Sequence, residues 1–154
     1  MEHNDKFKIE QLVKENMRTV MLRGIIDEDA NFDPLMKLHS PLVINFSGVT
    51  SINSCGVRNW VNLLKDLSGK EVFYEECPTL IVRQMNMVPS FVGGAKIVSV
   101  FAPYVCESCE KELALLVKET EFDGGVKEAF TCDACKKGEM EFDGRPDQYF
   151  AFLK

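Results

Sequence analysis

The sequence predicts an α/β fold: a mixed β-sheet with crossover helices over residues 1–101, followed by a small β module over residues 102–154. Three observations lead there. Apolar segments alternate between strand-like and helix-like periods along the first hundred residues. The composition, 45% hydrophobic and 27% charged, is that of a chain with an ordinary core. Charge and cysteine usage both change at one place. Residues 1–101 hold 11 Lys/Arg against 12 Asp/Glu and the isolated Cys55 and Cys77, whereas residues 102–154 hold 7 against 12 and four cysteines in two close pairs.

"FKIEQLV" and "RTVMLRG" are rich in β-branched and apolar residues and are separated by the turn-like "ENM", which predicts an antiparallel pair. Asp33 before Pro34 starts a short helix to Leu38, because proline is preorganised for a first helical position. "PLVINF", residues 41–46, is a continuous apolar run, the pattern of a central strand covered on both faces. Val57, Trp60, Val61, Leu64 and Leu67 then fall at i, i+3, i+4, i+7 and i+10, one face of a helix. "EVFYEEC" is a further strand, and "PTLIVRQMNMV" a helix opened by Pro78. Pro89 and the Gly93–Gly94 turn break the chain before "AKIVSVF" supplies the last strand. The order β-β-α-β-α-β-α-β needs crossovers, hence the mixed sheet. Glu75 and Glu76, adjacent on a strand, point to opposite faces and do not form a carboxylate pair. Trp60, Met85 and Met87 read as core.

In the last third, Cys106-x-x-Cys109 and Cys132-x-x-Cys135 are separated by 22 residues, and each pair follows a short strand-like run. Two such knuckles joined by a hairpin are the pattern of a zinc-ribbon-like module. Four thiolates in a tetrahedron about 2.3 Å from the ion leave no position for water, so Zn²⁺ held by Cys106, Cys109, Cys132 and Cys135 is structural. About 50 residues bury little apolar surface alone, and the metal supplies the missing stability. Disulfides are disfavoured in a reducing compartment, and neither pair opens a helix after a strand as a redox CxxC does. Phe142, Tyr149, Phe150 and Phe152 in the tail are suited to covering the module or docking it onto the sheet.

The stretch "FSGVTSINSCG", between the central strand and the clearest helix, resembles the "D-L-S-G-V-x-x-I-D-S-S-G" loop of the STAS domain, the fold of the anti-sigma factor antagonists. The resemblance extends by element order over residues 7–101. It implies a non-enzymatic regulatory protein whose loop and following helix bind a histidine-kinase-like ATPase, an anti-sigma factor or another signalling protein. The family's aspartate corresponds to Asn53, its first serine to Ser54, its phosphorylated serine to Cys55 and its glycine to Gly56. The phosphoacceptor is therefore missing, and the usual switch with it. The implied partner surface comprises Asn53, Ser54, Cys55 and Gly56 with Arg58, Asn59 and Asn62.

Three readings of Cys55 stand: a small, half-buried filler, a redox sensor whose thiolate is favoured at a helix N-terminus, and a nucleophile. The last needs a base, and the only histidines, His3 and His39, are not placed near it by sequence. The alternative function is thus a redox-responsive switch using Cys55 or the metal thiolates. A module with 12 acids against 7 bases repels a phosphate backbone, which disfavours nucleic acid as a partner. Runs such as "TVML" are far shorter than a membrane span, and the charged N-terminus is unlike a secretory signal, so a cytoplasmic protein is expected.

Overall fold

The computed structural model describes residues 6–14, 17–122 and 129–153. Two strands, β1 (Lys8–Lys14) and β2 (Met17–Ile26), pair antiparallel. A one-turn helix α1 (Asp33–Met36) leads to β3 (Leu42–Ile52), which is followed by α2 (Ser54–Asp66) and β4 (Val72–Glu75). Helices α3 (Thr79–Met87) and α4 (Pro89–Val92) then return the chain to the short β5 (Lys96–Ile97). These strands form one sheet in the order β1-β2-β3-β4-β5, with every pair after the first parallel. The fold is α/β with a mixed sheet, as the element order requires.

Strand β3 is longer than its apolar run. Beyond Phe46 it continues through the polar "SGVTS" because β2 runs alongside as far as the Ile26↔Ile52 pair. The helices cover the face bearing Leu42, Ile44 and Phe46, where Phe46, Trp60, Tyr74 and Phe91 pack at ring-centroid distances of 5.0 to 6.2 Å. Trp60 Nε1 donates to Tyr74 Oη at 2.9 Å, and the Tyr74 hydroxyl donates to the Phe91 carbonyl at 2.6 Å. Both buried polar groups are thus satisfied, and burial holds the Tyr74 phenol well above its ordinary pKa.

The expected last strand is divided. Val98 interrupts it, its N–H donating to the Tyr74 carbonyl at 2.7 Å, and β6 (Ser99–Cys106) carries the chain into a second sheet. Residue 101, the expected boundary, therefore lies inside β6. That strand pairs antiparallel with β7 (Glu112–Lys118) and with β9 (Glu139–Phe142), and β9 pairs with β8 (Ala129–Thr131). The order β7-β6-β9-β8 puts β7 and β8 on opposite edges, so among the described residues the strands between the cysteine pairs do not pair with each other as the expected hairpin would require. One contiguous apolar core runs from Val20 and Leu22 through Val100 and Ala102 to Cys106, Cys132 and Met140.

The aromatic tail forms α5 (Pro146–Tyr149) and a 3-10 turn (Ala151–Leu153). It docks onto α3: Asn86 Nδ2 donates to the carbonyls of Gln148 at 3.3 Å and Tyr149 at 2.9 Å. The Tyr149 hydroxyl reaches the Phe101 carbonyl, and burial pushes its pKa up to about 12.

Candidate metal centre and interaction surface

The four C-terminal cysteines meet at one point. Cys106 ends β6 and Cys109 lies in the β6–β7 turn, and Cys132 and Cys135 both lie in the β8–β9 turn. The backbone repeats. Glu110 N–H donates to the Cys106 carbonyl at 3.0 Å and Lys136 N–H to the Cys132 carbonyl at 2.9 Å, and both donors lie in the left-handed region, at φ 64 and 58. The strands on either side bring the knuckles together, because β6 and β9 are neighbours.

All four sulfurs lie within 4.8 Å of one another, with Cys106 to Cys135 at 3.7 Å and Cys109 to Cys132 at 3.8 Å. These are not disulfide distances, which are near 2.05 Å. They match the edge of a tetrahedron of thiolates about 2.3 Å from a common ion, which is about 3.8 Å. Backbone N–H groups of Ser108 and Cys109 point at Cys106 Sγ, and that of Gly138 at Cys135 Sγ, each at 3.4 Å. Such donors stabilise thiolate charge. The Cys135 thiol is drawn down to about 6 by the N–H groups of Gly138 and Lys137. At Cys109 the Lys111 N–H acts in the same sense, but desolvation and hydrogen bonding to the other three sulfurs outweigh it and push the thiol up to about 11. Four thiolates at this spacing repel one another, and a bound cation is what lets them coexist. The residues fit a metal ion.

Gly138 completes the cluster and carried no sequence signal. A Cβ there would sit 2.4 Å from Ser108 Oγ and 2.9 Å from Cys106 Sγ, so only glycine lets the second knuckle close on the first.

The second site is the corner between β3 and α2. Asn53 is the N-cap, its Oδ1 accepting from Gly56 N–H at 2.8 Å, while its Nδ2 donates to Glu28 at 3.2 Å. Glu28 is held below the usual carboxylate range, first by a backbone hydrogen bond and then by Asn53. Gly56 faces the end of β2: a Cβ would lie 2.3 Å from the Ile26 carbonyl oxygen. Ser54, Cys55, Arg58 and Asn62 are exposed, and Asn59 is half-buried. Cys55 is thus a free, exposed thiol and not a half-buried filler. His39 is exposed in the segment before β3, and His3 lies outside the described residues.

Glu75 and Glu76 depart from expectation. Their carboxylates converge, both accepting from Asn45 Nδ2, at 2.9 and 3.0 Å. Strand β4 ends at Glu75, and the left-handed backbone of Glu76, φ 50, turns its side chain back to the same side. Met87 also differs: it is 67% exposed.

No helix among the described residues is long and apolar enough to cross a membrane. Comparison with known proteins finds no family profile that matches the chain and no curated protein similar to it.

Proposed function

We propose that the chain is a non-catalytic interaction protein of the STAS type, resembling the anti-sigma factor antagonists, whose β3–α2 corner receives a signalling partner. The observation that carries this reading is the corner itself. Ser54, Cys55, Arg58 and Asn62 are exposed along α2, whose first turn is fixed from beneath by the Asn53 cap and the Gly56 contact. A pre-ordered polar turn loses little entropy on association. A histidine-kinase-like ATPase is the partner class that the resemblance suggests. With Cys55 in the phosphoacceptor position, regulation by serine phosphorylation would have to use the neighbouring Ser54, which is also exposed. Affinity capture with the wild type and with Ser54→Asp/Cys55→Asp tests this. The substituted corner is expected to lose a partner that the wild type retains, and equal recovery by both would sink the reading.

The metal in this proposal is zinc, and its role is structural. Four soft thiolates in a tetrahedral cluster suit zinc or iron, and a closed site offers no position for a reacting water. Metal analysis of the purified protein is expected to give about one zinc per chain. A red, visibly absorbing iron form would instead identify iron.

A second reading, a redox-responsive switch, is favoured by the exposure of Cys55 and Cys109. It predicts fast modification of Cys55 in a thiol titration and a partner affinity that responds to hydrogen peroxide. An unchanged response in Cys55→Ser and in metal-loaded protein would exclude it.

A further inference from the structure

Two cavities adjoin along the outer side of α2. One, of about 640 Å³, has a floor of Val57, Val61, Met87 and Val88 between α2 and α3. The other, of about 510 Å³, continues it past Leu64 and Leu67 toward the end of α4. They share Val61, Lys65 and Ser90, and so form one groove. Its length is that of the 13-residue helix α2, about 20 Å at 1.5 Å per residue.

The charge of the groove opposes that of the chain. The net charge is -6, yet the charged residues lining the two cavities are Arg58, Lys65 and Lys70, with no Asp or Glu among the described residues that line them. Lys70 is fixed at the far end, its Nζ donating to the carbonyls of Met36 at 2.9 Å and Leu38 at 2.8 Å. The first cavity is walled by α2 and the end of α3, whose backbone groups are largely spent within the helices, so an extended peptide there would press its own unpaired N–H and C=O groups against an apolar floor. A helix brings its backbone hydrogen bonds with it.

We propose that this groove receives an acidic amphipathic helix of the partner protein, its apolar stripe on Val57, Val61 and Met87 and its carboxylates opposite Arg58 and Lys65. Those two cations are seven residues apart on α2, about 10.5 Å along the axis. The occupant therefore carries acidic side chains about seven residues apart beside its stripe. The inference rests on the interaction reading above and extends it from the corner to the whole length of α2.

The test uses the full-length, metal-loaded chain labelled with ¹⁵N and three synthetic 18-residue helical peptides. The first has a leucine stripe flanked by glutamates seven apart, the second replaces the glutamates with lysine, and the third scatters the leucines. The acidic peptide is expected to shift resonances in residues 57–65 and 84–90. It should bind at least tenfold more tightly than either control and lose that margin in Arg58→Glu/Lys65→Glu. Equal binding of all three, shifts outside the groove, or binding of anionic phosphatidylglycerol vesicles in place of the peptide would overturn the proposal. If the peptide fails while Ser54→Asp/Cys55→Asp still abolishes capture, the groove alone is wrong. If the peptide binds and that double variant captures normally, the corner alone is wrong.

Discussion

Gly56 leaves no room for a side chain, and this decides how α2 leaves the sheet. With a Cβ only 2.3 Å from the Ile26 carbonyl oxygen and 2.8 Å from its Cγ2, an alanine would have to push the helix off β2. Overpacking of this kind costs about 1 to 3 kcal/mol, whereas removal of the Asn53 cap costs about 1 kcal/mol. Gly56→Ala is accordingly expected to lower the urea midpoint more than Asn53→Ala, with the two effects non-additive because both act on one turn. A Gly56→Ala variant as stable as the wild type would mean that α2 is free to shift. At this scale the sequence was informative where the chemistry is local. Asn53 or Ser54 is readable as a helix cap because capping is local, whereas the close approach at Gly56 is made to Ile26 on β2, 30 residues away, and has no local signature. The exposure of Cys55 and the convergence of Glu75 and Glu76 were not readable. The convergence depends on the left-handed backbone of Glu76 and the exposure on which side of α2 meets the sheet, and side-chain identity announces neither.

Elements were legible in proportion to their apolar period. The α2 stripe holds at Val57, Trp60 and Leu67, all buried, but rotates so that Leu63 is buried while Val61 and Leu64 are half-buried. Those two line the groove, which is why an unbroken stripe concealed a surface. The continuation of β3 through "SGVTS" and the break at Val98 are set by partner strands, and no local pattern records them. The knuckles depend on elements too. Gly138→Ala should prevent the β8–β9 turn from closing against Ser108 and Cys106, and metal affinity measured by chelator competition should fall by about 10- to 100-fold. Unchanged affinity would show that the two turns tolerate more separation than their contacts suggest. The tail gives an alkaline signature. Burial raises Tyr149 from its ordinary 10.0 to about 12, so the stability it adds is whole below pH 10 and is lost as pH rises through 12. Tyr149→Phe should cost about 1 kcal/mol near neutrality and reduce the loss between pH 10 and 12. Denaturant melts of both proteins across that window check the sign.

The whole molecule is coupled through β6, which bridges to Cys77 beside the first sheet and pairs with β7 and β9 in the second. Cys106 and Cys132, 1% and 0% exposed, belong to the same core as Val100 and Ala102, so loosening the thiolates exposes more than two turns. The tail transmits the same change in another direction, since it is held both by Asn86 on α3 and by Phe101 on β6. Metal removal should therefore be felt in the first hundred residues. If the bound ion contributes even about 3 kcal/mol, its chelation lowers the melting temperature by roughly 6 to 12 °C in a chain of this size. Hydrogen exchange locates the effect. Amides of β6 and α3 should lose protection together with those of β7 and β9, whereas β1 and β2, at the far side of the sheet, should change least. Loss of protection confined to β7, β8 and β9 would mean that the cysteine module folds as a separate unit beyond β6. Loss reaching α3 would place the metal behind the α2–α3 groove, where its removal alters the very wall that a partner helix would meet.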